Sequence, residues 1–247
     1  MGGAIVCGAV GAAALGLAAG GWMYASEWPT SQLFGRTLIA GNDPGEVALT
    51  FDDGPNDAAT PQLLEVLARH GVRATFFAMG SFTRLRPEIV REVVAAGHLL
   101  GNHTMSHPKL SVQAAARVRQ ELAECSAVLE DITGVAVKFF RPPFGARRPY
   151  VLRAARELGL TPVLWNVTGY DWNPIGVEGI LKNLDAGIAR NLRRGRGSNL
   201  LLHDGGHRAM GTARMDTVRA VDRLLTARAG DGTRWVTVDA WAETPRG

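Results

Sequence analysis

Short apolar runs alternate along this chain with longer stretches whose apolar positions recur at helical spacing. Val47–Phe51 predicts a strand. Pro61–His70 predicts an amphipathic helix, with Leu63, Leu64 and Leu67 on one side and Pro61 in its first turn. A strand is expected over Ala74–Ala78, a helix over Pro87–Ala96 stopping at Gly97, and a short strand over Leu99–Asn102. Ser111 is placed as the cap of a long helix running to about Ile132. Phe139–Arg141 predicts the fourth strand, followed by a helix over Arg148–Leu158 that Gly159 closes. Pro162–Asn166 predicts the fifth strand and Val177–Leu192 a helix. Asn199–His203 is the sixth strand, Met215–Ala227 a helix, and Trp235–Val238 the seventh strand.

Seven such alternations predict a parallel sheet closed, or nearly closed, into a distorted (β/α)7 barrel; an open doubly wound sheet is the alternative. The barrel domain is placed at residues 46–247. Residues 27–45 read as a linker or lead-in, because Pro29, Gly35, Gly41, Asn42, Pro44 and Gly45 interrupt any long element. Residues 2–26 carry no charged side chain and are rich in Ala and Gly. That is enough for a bilayer-crossing helix, which needs about 20 residues. No Lys or Arg precedes the stretch, so the positive start of a signal peptide is missing. An uncleaved hydrophobic anchor is the reading preferred, with a cleaved signal peptide or a buried soluble helix as alternatives. Either of the first two places the domain outside the cytoplasmic membrane, anchored to it or secreted.

Composition changes this picture little. The chain has 247 residues, 46% hydrophobic and 20% charged, which suits one sizeable domain. Its net charge of +4 leans on runs such as Arg193-Arg194-Gly195-Arg196. Such a run at a helix end reads as a solvated cap, and no nucleic-acid recognition motif accompanies it. Cys7 and Cys125 do not suggest a disulfide framework.

The polar clusters change the picture more. Asp52-Asp53, His103, Arg141, Asp171 and His203 all fall at or just beyond the C-terminal ends of predicted strands, the face on which β/α barrels build active sites. His103 and His107 are four apart, so a helical turn would project both imidazoles from one side toward one ion. Two imidazoles with a carboxylate suit Zn²⁺ and neighbouring first-row ions. Successive strand residues point to opposite faces. At a strand end turning into Gly54-Pro55, however, one aspartate can face the ion while the other lies beside it. His70, His98 and His207 are read as structural or exposed, with His207 nearest the rim.

These residues give the chain a clear resemblance. It resembles the polysaccharide deacetylase family with the NodB homology domain, carbohydrate esterase family 4, over about residues 45–240. Five motifs occur in order: Thr50-Phe51-Asp52-Asp53-Gly54-Pro55, His103-Thr104-Met105-Ser106-His107, Arg141-Pro142-Pro143-Phe144-Gly145, Asp171-Trp172, and Leu201-Leu202-His203-Asp204. One departure is Thr168, at a position where many members carry an aspartate three residues before the Asp-Trp pair. It bears on the shape of the substrate groove more than on the chemistry.

The resemblance implies a metal-dependent hydrolase that removes N-acetyl groups from GlcNAc-containing glycans of the chitooligosaccharide or peptidoglycan type. O-deacetylation of acetylated xylan, or a non-catalytic glycan-binding role, are the alternatives. Asp53, His103 and His107 would hold one divalent metal, Zn²⁺ in the first instance, with Co²⁺ or Ni²⁺ able to use the same ligands. Asp52 would be the base toward the metal-bound water, oriented by Arg141. His203 would be the general acid, held protonated by Asp171. The Phe144 backbone N–H would help stabilise the oxyanion, and Trp172 and Leu201 would line the acetyl pocket.

Overall fold

A computed structural model describes residues 20–242. Cys7 and most of the expected anchor over residues 2–26 lie outside the described residues. Within them, residues 20–27 are helical, and no helix is long and apolar enough to cross a membrane.

The chain runs β1 (Glu46–Gly54), α1 (Ala59–Arg69), β2 (Thr75–Ala78), α2 (Gly80–Leu85), α3 (Pro87–Ala95), β3 (Leu99–Asn102) and α4 (Ala115–Thr133). There follow β4 (Phe139–Phe140), α5 (Pro149–Glu157), β5 (Thr161–Pro162), β6 (Val167–Thr168), α6 (Gly176–Arg193), β7 (Ser198–His203), α7 (Met215–Ala227) and β8 (Arg234–Trp235). The strands form one sheet in the order β5-β4-β3-β2-β1-β7-β6, with β8 also on β1. Every pairing is parallel. The sheet curls into an incomplete barrel whose two ends, β5 and β6, are consecutive in the chain.

Strand alternation divides the interior. Val47, Leu49 and Phe51 of β1, with Leu200 and Leu202 of β7, join the main core under α1, α6 and α7. The intervening Thr50, Asp52, Asn199, Leu201 and His203 take the opposite face, toward the barrel axis. A second core packs α3, α4 and α5 over β3 and β4 and contains Leu122, Cys125, Leu129 and Phe140. Burial there pushes the Cys125 thiol up to about 12, so it behaves as a small apolar group.

Several elements differ from expectation, each for a local reason. Residues 163–166 do not continue the fifth strand. The Val163 position bridges to Leu38 of the lead-in, where the Leu38 N–H donates to Pro162 O and the Leu164 N–H to Leu38 O, both at 2.8 Å. The apolar run reported burial correctly, but its partner is the lead-in. Ser111 does not cap α4. It lies in a 3-10 turn over Leu110–Val112, and the helix begins four residues later behind an extended Ala114. The Tyr150 hydroxyl donates to the carbonyls of Leu110 and Gln113 there. Helix α2 was not expected, because it opens on a glycine. A Cβ at Gly80 would lie 2.5 Å from Met105 Sδ and 3.2 Å from Cys125 Cα, so the helix start packs closely against the neighbouring loop and α4.

The lead-in is tied to the barrel by Arg147, which is buried. Its Nη1 donates to Gly145 O at 3.0 Å and its Nη2 to Trp28 O and Ser31 O at 2.8 and 2.7 Å. The Arg147 N–H donates to Ser26 O at 2.9 Å and the Ser26 hydroxyl to Arg147 O at 3.0 Å.

Candidate active site

The site grows from the end of β1. Asp52 continues the strand and points inward. Asp53 follows with a left-handed φ of 71°, and the pairing with β2 slips between Asp52 and Gly54. This bulge re-aims one side chain, so two consecutive carboxylates reach the same hollow despite the strand period. Asp52 Oδ1 accepts from Arg141 Nη1 at 2.8 Å. The same guanidinium donates to Thr50 Oγ1 at 2.7 Å and to Asn199 Oδ1 at 3.4 Å, and lies 4.2 Å from the centre of the Phe77 ring. Arg141 is fully buried on the barrel axis. Burial lowers its pKa, and the charge of Asp52 opposes that shift.

His103 and His107 do converge, but not from the helical turn expected. Residues 103–109 are irregular, with φ of 70° at Thr104 and 58° at His107. The loop is held from all sides. Asn102 Oδ1 accepts from the Thr104 N–H, Thr104 Oγ1 from the His107 N–H, and Glu121 from the Ser106 N–H and hydroxyl. The first N–H groups of α2, on Gly80 and Ser81, donate to Thr104 O and Met105 O. This helix end takes the place of the turn's own hydrogen bonds.

The resulting geometry is compact. Asp53 Oδ1 lies 3.3 Å from His103 Nε2 and 3.1 Å from His107 Nε2, while Asp52 Oδ2 is 3.8 Å from His103 Nε2. His103 Nδ1 faces Arg141 O at 2.8 Å. A carbonyl only accepts, so Nδ1 carries a proton and Nε2 is the ring atom left to face an ion. Burial pushes the Asp53 pKa up, but His103, His107 and His207 reverse this and hold it far below the usual carboxylate range. Burial likewise disfavours the charged form of His103, and Asp52 and Asp53 outweigh it. His107 is shifted down, first by burial. Asp53 Oδ1 is buried with no hydrogen bond of good geometry. Three Lewis bases facing one another, one of them an unsatisfied anionic oxygen, fit a divalent cation.

Across the rim, His203 Nδ1 lies 2.9 Å from Asp171 Oδ1, which turns Nε2 toward the aspartates. Burial opposes charge on His203, but Asp171 and the more distant Asp53 and Asp52 push its pKa up to about 9. Trp172 stands edge-on to His203 at 5.2 Å, and Phe144 edge-on to His107 at 4.7 Å with a left-handed φ of 59°. Leu201 is buried one strand position pair before His203, level with Thr50 on one side and Thr168 on the other. A separate cleft of about 800 Å³ runs along the flank between the lead-in and α6. It borders the site through Tyr170, whose ring contacts Trp172, and through Trp165, whose ring lies 5.6 Å from the Arg141 guanidinium.

All the expected site residues thus gather on one rim. One further residue joins them. His207 is not merely near the rim: its N–H donates to Asp53 Oδ2 at 3.2 Å, and its Nδ1 lies 3.5 Å from the same oxygen. Asp53, His107 and His207 form a group whose ligating atoms lie within 4.8 Å of one another. The Gly205-Gly206 pair before it was the available signal of a close backbone approach.

Comparison with known proteins places the chain in a family. Residues 40–163 match the polysaccharide deacetylase family model. A chitooligosaccharide deacetylase of Sinorhizobium fredii is 37% identical over 194 residues, covering 76% of this chain and 87% of that protein. A peptidoglycan-N-acetylglucosamine deacetylase of Bacillus cereus is 34% identical, covering 81% of this chain and 70% of that protein. The crystal structure of the Bc1960 peptidoglycan N-acetylglucosamine deacetylase superposes with a TM-score of 0.74 at 32% identity, over 83% of this chain and 91% of that one. On its matched sequence, its curled parallel sheet and these relatives, the chain belongs to the polysaccharide deacetylase family, a family of hydrolases.

Proposed function

We propose that this chain is a divalent-metal-dependent deacetylase acting on the N-acetyl groups of GlcNAc-containing glycans. The observation that carries the reading is Asp53 Oδ1 set between two imidazole Nε2 atoms beside the Arg141-bound Asp52. Similarity to chitooligosaccharide and peptidoglycan deacetylases supports the substrate class.

Asp53, His103 and His107 would hold the ion. When bound it supplies Lewis acidity toward the acetyl carbonyl and the attacking water. Asp52, fixed by Arg141, takes the proton of that water as the C–O bond forms. The Phe144 backbone N–H shares the charge that develops on the carbonyl oxygen. His203 Nε2 then gives its proton to the amide nitrogen as the C–N bond breaks, releasing acetate and leaving the sugar as a free amine. Asp171 keeps His203 charged for this step. Trp172 and Leu201 border the space for the acetyl methyl. An anchor or export signal over residues 2–26 would set this chemistry outside the cytoplasmic membrane, which fractionation of the full chain checks.

The test is acetate release from chitooligosaccharides and from peptidoglycan. Release should stop on chelation, return with added metal, and be lost in Asp52→Asn, where the amide oxygen still accepts from Arg141. No release from any acetylated glycan with metal restored would overturn the reading.

A further inference from the structure

His207 sits on the loop after β7, immediately behind Gly205-Gly206. A Cβ at Gly205 would lie 2.1 Å from Asp53 O, and one at Gly206 2.5 Å from Thr212 Oγ1. Only bare backbone passes this close to the end of β1. The loop is fastened there: the Gly205 N–H donates to Asp52 O at 3.3 Å, Arg214 Nε to Gly205 O at 2.7 Å, and the Ala209 N–H to Gly206 O at 3.1 Å. This path delivers the His207 N–H and Nδ1 to Asp53 Oδ2 at 3.2 and 3.5 Å. The imidazole also lies on His107, with centroids 4.3 Å apart and planes 13° from parallel, and the Phe144 ring stands edge-on to both, 4.7 Å from His107 and 5.4 Å from His207.

We propose that His207 is a positioning residue for the metal site. It engages Oδ2 of Asp53, so that the carboxylate presents Oδ1 alone to the ion, and its ring props His107 in place. The inference rests on the reading of Asp53, His103 and His107 as ligands. Direct ligation by His207 is a poor fit to the stacking. Imidazole lone pairs lie in the ring plane, and two nearly parallel stacked rings aim them side by side instead of at one point. A one-oxygen aspartate with two histidines leaves positions open for water and the acetyl oxygen, as a catalytic site requires. Ligand-supporting hydrogen bonds of this kind tune affinity by about 10–100-fold.

The experiment is a Zn²⁺ titration of the full chain against a chromophoric chelator, using the metal alone. Because the loop's own N–H remains, His207→Ala is expected to weaken the ion by about 10-fold, the low end of that range. His207→Asn, which returns a donor toward Oδ2 but no ring, should recover part of the loss. The visible spectrum of the Co²⁺-loaded protein should keep its band positions and intensity in both variants. Unchanged Zn²⁺ affinity in His207→Ala overturns the proposal. A Co²⁺ spectrum showing a changed ligand number also overturns it, in favour of direct ligation. If His207→Ala fails to fold, the His207→Asn comparison with the unaltered chain decides in the same way. The titration does not involve glycan, so a chain that releases no acetate leaves this result standing or falling by itself.

Discussion

Asp171 holds His203 at two points: Oδ1 lies 2.9 Å from Nδ1, and Oδ2 accepts the backbone N–H at 2.8 Å. Thr217 donates to the same Oδ2 at 2.8 Å, so the carboxylate cannot swing away without breaking two further bonds. The ring is therefore both oriented and charged, with its pKa raised to about 9. An unperturbed histidine titrates at about 6.5. The pair's contribution to stability is complete below that value and is lost as pH rises through the folded pKa. If His203 is the acid, kcat should hold through neutral pH and fall above about 9. In Asp171→Asn that alkaline limb should move toward neutrality. A limb that stays in place, read from kcat against pH, would count against His203 as the proton donor.

Arg141 predicts a different signature. Its removal leaves Asp52 buried without its cation, a change that costs about 3–5 kcal/mol for a buried pair. Arg141→Ala should show this in urea unfolding. Arg141→Lys keeps the charge but cannot reach Thr50, Asp52 and Asn199 together. It should recover much of the stability while acetate release stays low. Equal recovery of both would mean that charge alone suffices at this position.

Gly205→Ala tests the close approach of the two strand ends. The added methyl meets backbone, which cannot yield as a side chain would, and overpacking of this kind costs about 1–3 kcal/mol. The variant should melt earlier and bind metal more weakly, because the displaced atom is the carbonyl of Asp53. Normal melting with normal metal affinity would show that the loop has room to spare.

A core substitution supplies the control. Phe51 is wholly buried and points away from the site into the main core. Phe51→Ala should lose about 3–5 kcal/mol yet keep the alkaline limb of the pH profile, since nothing around His203 changes. A displaced limb would show that core and rim are coupled more tightly than the alternation along β1 implies.

How far the sequence revealed this arrangement depends on the kind of signal each part leaves. The long strands and helices are legible because burial on one face imposes a period. β3 and α7 fall where the pattern places them, and β1 only extends further at each end. The two-residue strands β4, β5 and β6 are too short to carry a period. The motif residues are legible as chemistry at strand ends, but not how they converge. Asp53, Thr104, His107 and Phe144 all adopt positive φ without being glycine, a conformation no local propensity announces. His207 is hidden for a different reason. Its role comes from backbone fastened by Arg214 and from glycines that admit it, and neither belongs to the motifs.

The buried guanidinium of Arg147 also sets where the chain can be cut. Its partners are carbonyls of Trp28 and Ser31 on one side and of Gly145, next to Phe144, on the other. An excision beginning at the first motif would discard two of these three acceptors, strand a cation inside the protein and unseat the loop bearing Phe144. Protein engineers seeking the smallest portable catalytic unit should therefore place its boundary ahead of Ser26, well upstream of the motifs that mark the chemistry.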